Sequence, residues 1–305
     1  MRALVLYNTF SGNSRFIKRL DYIAKSLKTK YDIVDFYKSE YMGSNADYIR
    51  LKGSVYDLLV CVGGDGTVHE VINAVMKLDR KPKLAYIPAG TCNDAARSLG
   101  LRRNIKKTIK TILKGCSAKM DLFKINDEYF MYGLAAGCLT EISYDTGRGI
   151  KKNIGKFAYY LQGLKSYVDT KTINITIETN GQEISGDFSL MLALNTRYLA
   201  GFRINRKQRI YLNDSKIRVT LIKKTTKLVN IFDFGMFLIF GERYKHNIIN
   251  FDSEKFVVKS NQLVAYNTDG EMFGKHNLID VSCVPLAIEL ITTRRVFKRH
   301  FISNN

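Results

Sequence analysis

The chain of 305 residues has only 3 prolines, no Cys-x-x-Cys pair and no apolar run near the ~20 residues that a bilayer-spanning helix needs. Scarce proline beside 46% apolar residues excludes a disordered tail and allows a sizeable core. The densest apolar stretch, Ile231 to Phe240, is interrupted by Asp233 and Gly235. An odd set of 5 cysteines (61, 92, 116, 138 and 283) argues against a disulfide framework. Together with the histidines at 69, 246, 276 and 300, they show no zinc-ligand spacing. The opening Met1–Asn8 is a short apolar run that ends in a polar turn, so no cleaved leader is expected. Internal repeats and low-complexity linkers are missing as well. These absences lead to the expectation of a soluble, cytoplasmic, folded protein of about two domains.

Acids are also in short supply. Lys plus Arg number 48 against 28 Asp plus Glu, a formal charge of +20. The excess is clustered. Leu101–Ala118 holds six bases and no acid, Phe188–Ile231 holds ten bases and one acid, Asp214, and Arg294, Arg295, Lys298 and Arg299 sit near the end. Such a field attracts nucleic acid, nucleotides or an anionic membrane surface, and it is equally the mark of a solvated basic face.

The first third alternates strand and helix signals. Strands are expected at Ala3–Asn8, Ile33–Tyr37, Asp57–Val62 and Leu84–Ile87. Helices are expected near Ser14–Leu27, Asn45–Leu51, after Gly66, from Asn93 and at Ile105–Lys114. Repeated strand-loop-helix units imply a parallel sheet covered on both faces. Beyond residue 120 the pattern changes to closely spaced strands (Met120–Ile125, Tyr129–Leu134, Thr172–Thr179, Phe188–Asn195, Lys216–Ile222, Lys255–Lys259, Leu263–Asn267, Ile279–Val284) with one long helix near Asn153–Tyr167. That texture suggests a sandwich or distorted barrel, with a tight join to the first domain near residue 122 and a cleft between the two.

Two glycine turns each follow a strand and open a helix. In Val62-Gly-Gly-Asp-Gly-Thr-Val-His-Glu70 the glycines let backbone approach a phosphate, and the helix start offers N–H groups and a positive dipole end. Asp65 there either holds a metal-bound water, orients a nucleophile or, with Thr67, caps the helix. Pro88-Ala-Gly-Thr-Cys-Asn-Asp94 is the second turn. Neighbouring parallel strands would bring both to the carboxyl edge of the sheet, where open α/β sheets bind ligands. Neither turn matches GxxxxGK[ST] or GxGxxG, which disfavours P-loop and dinucleotide-fold readings. His69 fits a polar contact to a nucleotide better than a metal ligand, and Tyr7, Tyr159 and Tyr160 read as core. Asp269-Gly-Glu271 is either a turn with solvated acids or a site where two carboxylates share one loop.

Gly63-Gly-Asp-Gly-Thr-Val-His-Glu-Val-Ile-Asn73, Pro88-Ala-Gly-Thr-Cys-Asn-Asp94, Asp269-Gly-Glu271, the first loop Asn8-Thr-Phe-Ser-Gly12 and the segment Gly155–Leu164 resemble, in order, the motifs of the diacylglycerol kinase catalytic-domain family. The resemblance implies an N-terminal α/β nucleotide-binding domain like those of NAD kinases and phosphofructokinases (1–122, with 287–305 returning) and a C-terminal β-sandwich for the lipid (123–286). It implies ATP and Mg²⁺, with ATP held by Asn8, Thr9, Phe10, Ser11, Gly12, Lys38, Gly64, Asp65, Gly66, Thr67, Val68, His69, Glu70 and Thr91. Glu271 would be the general base on the lipid hydroxyl. Asp65, Asp94 and Asp269 would form an acidic, water-linked network around Mg²⁺, and Asp65 and Asp269 are counted with Glu271 as catalytic. A structural metal would use Asp214 and the main-chain carbonyls of Tyr211 and Lys216. Here Ser215 replaces the usual Gly of that loop, Ala200-Gly201 replaces a Gly-Gly pair, and Thr9 replaces the proline of the first loop.

The implied activity is phosphorylation of diacylglycerol to phosphatidic acid by a peripherally membrane-associated enzyme on an anionic surface. Phosphatidylglycerol and sphingoid bases stay open as substrates, and a homodimer stays open as the assembly. NAD kinase is the alternative, weakened because its second motif carries Asn-Glu where this chain has Asn93-Asp94. A non-catalytic nucleic-acid or membrane module leaves the acids at 65, 94, 269 and 271 without a purpose, so no nucleic-acid partner is expected.

Overall fold

The structure, a computed structural model, describes residues 1–8, 14–90, 92–101, 103–137, 172–196, 198–199, 202–203 and 210–302. Two compact units divide the chain. The first is Met1–Leu122 with Arg209–Asp214 and Val284–Asn305, and the second is Phe123–Gln208 with Ser215–Cys283.

The first unit is α/β. Its elements are β1 (Arg2–Tyr7), α1 (Leu20–Leu27, after a 3₁₀ turn at Ser14–Arg19), β2 (Ile33–Lys38), α2 (Ser44–Lys52), β3 (Leu58–Gly63), α3 (Asp65–Val75), β4 (Lys83–Pro88), α4 (Asp94–Ser98), α5 (Ile105–Lys114) and β5 (Cys116–Ile125), which from Phe123 on belongs to the second unit. β1 pairs in parallel with β2 and β3, and β3 pairs in parallel with β4. Every residue of β3 is buried, as expected for a central strand with both faces covered. The core runs from Ala3, Val5, Val60 and Val62 on the strands to Ile23 and Leu27 of α1 and Ile109 and Ile112 of α5. Asn104 caps α5 by accepting the Lys107 N–H at 3.1 Å. That helix buries Thr108, Ile109 and Ile112 and keeps its lysines outside.

The second unit is strand-rich. It contains β6 (Glu128–Phe130), β7 (Gly133–Gly137), β8 (Ile173–Thr179), β9 (Gln182–Leu194), the short pair β10 (Tyr198–Leu199) and β11 (Phe202–Arg203), β12 (Ile217–Lys223), α6 (Lys227–Phe240), β13 (Ile248–Ser253), β14 (Lys255–Thr268) and β15 (Glu271–Thr292). β9 pairs antiparallel with β7, β8 and β12, and β14 pairs antiparallel with β7, β8 and β15. Their inward residues, among them Phe123, Phe130, Phe188, Phe256 and Tyr266, form one apolar core. From Val284 onward β15 belongs to the first unit and pairs in parallel with β4 at Leu290 and Leu84. α7 (Arg294–His300) follows, capped by the Thr293 hydroxyl.

Several elements differ from the sequence reading. The strand expected over Tyr129–Leu134 is two strands, because the Met131 and Tyr132 N–H groups turn to the Asp269 carboxylate instead of a ladder. Lys255–Lys259 and Leu263–Asn267 are one strand whose register shifts between Lys259 and Val264. α6 was not foreseen at all. Residues 209–214 belong to the first unit and not to a continuous 123–286 domain. There the buried Leu212 donates its N–H to the His300 carbonyl at 2.8 Å and accepts the Asp121 N–H at 2.9 Å. The helix expected near Asn153–Tyr167 lies outside the described residues.

Candidate active site

The parallel register places Tyr7 opposite Lys38 and Val62, and Gly63 opposite Pro88. Asn8, Lys38, Gly64 and the turn after Pro88 therefore line one carboxyl edge of the sheet. The two glycine turns meet backbone to backbone there. A Cβ on Gly90 would stand 2.5 Å from the Gly64 Cα, and a Cβ on Gly64 would stand 3.3 Å from the Gly90 Cα. Any side chain at Gly90 forces the loops apart, which is the local reason for glycine.

A hydrogen-bond web fixes the second turn. Asn93, in the left-handed region at φ 54°, accepts the Gly90 N–H at 2.9 Å on Oδ1 and donates to the Gly90 carbonyl at 2.7 Å. The buried Tyr86 hydroxyl lies 3.0 Å from the same Oδ1 and 3.2 Å from the Gly63 carbonyl, tying both turns together. Burial first, and the Asp65 charge next, push its pKa well above the usual tyrosine value, so it stays a donor. Arg103 donates to the Gly90 carbonyl at 2.6 Å. Tyr86 and Arg103 did not stand out in the sequence, since nothing in their spacing marks them as loop supports.

The acids of this edge have visible structural roles. Asp65 accepts the N–H groups of Asp94 and Ala95, each at 3.3 Å, and so caps α4 from the neighbouring turn. Asp94 is itself buried at the start of α4. Glu70 points to α2: its Oε1 accepts the Asn45 and Ala46 N–H groups at 3.0 and 3.2 Å, and its Oε2 accepts the Asn45 amide at 3.1 Å. Asn45 Oδ1 in turn accepts the buried Ser39 hydroxyl at 2.7 Å, next to the exposed Lys38. Thr67 and Val68 are buried in α3, while Gly66 and His69 are not. His69 Nε2 lies 3.4 Å from the Asn73 amide one turn on. Thr9, Phe10, Ser11, Gly12 and Thr91 lie outside the described residues.

In the second unit, Thr268 and Glu271 pair across a two-residue turn whose Asp269 and Gly270 have φ values of 51° and 82°. Two positive φ values are the signature of the Asp-Gly hairpin turn whose twist suits the flanking strands. Asp269 is not a solvated acid. It is 3% exposed, and its carboxylate accepts the Met131, Tyr132 and Gly133 N–H groups at 2.7, 2.8 and 3.1 Å. The Tyr132 hydroxyl donates to the Asp269 carbonyl at 2.8 Å, and the Asp269 N–H donates to the Gly133 carbonyl at 2.7 Å. Glu271, two residues on, is exposed at the first position of β15.

The residues expected to hold a structural metal are half-buried or exposed. Tyr211 and Asp214 belong to the first unit and Lys216 to the second. Ser215 sits at φ 60°, the left-handed conformation that a glycine would adopt without strain. The Lys216 carbonyl accepts the Arg218 guanidinium at 2.8 Å.

Comparison with known proteins adds the following. The sequence profile of the diacylglycerol kinase catalytic domain matches residues 2–125. The diacylglycerol kinase of Staphylococcus epidermidis is 32% identical over 100% of this chain and 96% of its own length. That of Staphylococcus carnosus is 30% identical, with 90% of each chain covered. A solved diacylglycerol kinase from Bacillus anthracis shares the fold with a TM-score of 0.77 at 22% identity, over 97% of this chain and 98% of its own.

Proposed function

The chain belongs to the diacylglycerol kinase catalytic-domain family, and from that premise we propose that it transfers the γ-phosphoryl group of ATP to the free hydroxyl of diacylglycerol, giving phosphatidic acid. Glu271 carries the reading. It is an exposed carboxylate fixed at the end of a turn whose other acid is fully engaged with backbone N–H groups. An acid so placed is free to accept the hydroxyl proton as the oxygen attacks phosphorus, the role that phosphoryl transfer requires of a base.

ATP is assigned to the sheet edge of the first unit. The start of α3 offers N–H groups to phosphate oxygens, and the Gly64–Gly90 approach removes side chains that would keep a phosphate away. Asn8, Lys38 and the loop 9–12 would complete the nucleotide contacts. Mg²⁺ enters as part of the nucleotide substrate, and Asp65 and Asp94 are the acids that would hold its water. Asp269 is assigned to holding the catalytic turn in place and not to the magnesium shell. Asp214 is the one side-chain ligand left for a structural cation. No helix among the described residues is long and apolar enough to cross a membrane. The lipid would be met at an anionic surface, to which the basic clusters are drawn.

The deciding assay offers ATP·Mg²⁺ labelled in the γ-phosphate to diacylglycerol, phosphatidylglycerol, a sphingoid base and NAD in mixed micelles. Labelled phosphatidic acid is the expected product. Label on NAD alone would overturn the lipid assignment, and label on another lipid would correct the substrate.

A further inference from the structure

α6 is a helix with two apolar sides. On one, Ile231, Phe234 and Phe237 pack against Leu190, Leu192, Leu194, Ile222 and Ile248. On the other, Leu228, Phe232 and Ile239 are 81%, 59% and 64% exposed, with Phe240 51% exposed at the end. At ~100° per residue, Leu228, Phe232 and Ile239 fall within about 40° of one another, a single outward stripe.

Polar anchors on the inner side fix this orientation. The Asp233 side chain is fully buried and accepts the Tyr244 hydroxyl at 2.5 Å and the Asn247 amide at 2.9 Å, with His246 Nδ1 at 3.0 Å. Near the helix start, Asn230 Oδ1 accepts the Thr225 N–H and hydroxyl at 3.1 and 2.6 Å. Rolling the stripe inward would break both sets and strand the buried acid, so the exposure is built into the packing.

Charge says what the stripe fits. Lys223 to Lys245 carries five bases against two acids, Asp233 and Glu242; Lys223, Arg243 and Lys245 are exposed, while Asp233 is turned inside. An apolar stripe on a helix flanked by a net excess of bases is the pattern of a helix lying in an anionic lipid interface. A second copy of the chain, packed stripe to stripe about a two-fold axis, would bring basic rims together. At 14 residues the helix is about 21 Å long, too short to span a bilayer.

We propose that α6 is the membrane-docking element of this protein, with Leu228, Phe232 and Ile239 in the acyl boundary and Lys223, Arg243 and Lys245 at the lipid phosphates. The proposal deepens the lipid-kinase reading by naming its partner surface, and it rests on that reading for its purpose. Its test needs no catalysis. The full chain is floated without nucleotide on phosphatidylcholine vesicles with and without phosphatidylglycerol. The double variant Leu228→Ser/Phe232→Ser should weaken binding to the anionic vesicles about a hundredfold, roughly tenfold for each side chain removed. Gly235 lies on the same stripe and a Cβ there meets nothing within 4 Å, so Gly235→Leu should tighten binding. Lys106→Glu/Lys110→Glu on α5 should change it far less. Unchanged binding of the stripe variants, or loss confined to the α5 variant, overturns the proposal. So does a wild-type dimer that the double variant splits while vesicle binding stays the same. Stripe-dependent binding without any lipid phosphorylation would leave docking standing and overturn the kinase reading. Phosphorylation of detergent-dispersed lipid with stripe-independent binding would do the reverse.

Discussion

The glycine edge of the first unit and the Asp-Gly turn of the second are built by the same device and differ in what it leaves over. In each, carboxylates from the motif accept backbone N–H groups: Asp65 from α4, Glu70 from α2, Asp269 from the loop before β7. At the edge Asp65 ties the second turn to the first and Glu70 ties α2 to α3, with the N–H groups at the start of α3 beside them. The turn spends one acid and leaves the next, Glu271, exposed. An acidic motif thus divides into residues that shape backbone and residues free to react, and the division is testable one acid at a time.

The largest effect should come from the acid left over. Glu271→Gln keeps size and polarity but cannot take a proton, so turnover should fall by about 10²–10⁴. Nucleotide affinity and the urea midpoint should stay as in the wild type. Turnover within a few-fold of wild type would put the base elsewhere and erase the contrast between the two acids of the turn. Asp269→Ala should show the opposite profile. It strands three N–H groups buried beside a turn with two positive φ values, a loss of about 3–5 kcal/mol in unfolding free energy. A melt unchanged by that substitution would mean that the turn holds itself.

Much of this was legible in the chain. Strand-loop-helix alternation located β1 to β4 and α2 to α5 to within a few residues, because a parallel sheet buries continuous apolar runs and sets each turn at a strand end, whereas α7 had no counterpart in the sequence reading. The two glycine turns could be placed on one edge from strand adjacency alone. The direction in which each acid points could not. Glu70 belongs to the glycine motif by sequence, yet its partner is a helix start 25 residues earlier, reached only because α2 packs beside α3. α6 escaped for a different reason. Apolar residues on both sides of a helix cancel the 3.6-residue period by which a half-buried helix is recognised.

A smaller effect tests the closeness of the two loops. Gly90→Ala places a methyl 2.5 Å from the Gly64 backbone, where no side-chain rotation can relieve it. Stability should drop by about 1–3 kcal/mol, the usual cost of an overpacked site. ATP affinity should drop further than stability accounts for, since the loops part where the phosphates are assigned. Equal ATP affinity in calorimetry would detach the Gly64–Gly90 contact from nucleotide binding.

The smallest effect discriminates most finely, because it separates the two roles open to Glu70. As a cap, its carboxylate accepts the Asn45 and Ala46 N–H groups and the Asn45 amide. Glu70→Ala removes all three acceptors and should cost about 1–2 kcal/mol, the range of a lost helix cap. Glu70→Gln keeps one oxygen for the two backbone N–H groups but sets its own amide against the Asn45 amide. Asn45 can answer by flipping, because its other partner is the Ser39 hydroxyl, which accepts as readily as it donates. The Gln variant should therefore melt close to the wild type, with the Ala variant well below it and ATP affinity little changed in Gln. A nucleotide contact through the carboxylate predicts another order: both variants would lose ATP affinity alike, since neither carries the charge, and their melts without nucleotide would differ little. Two melts and two titrations place Glu70 on one side of the comparison or the other.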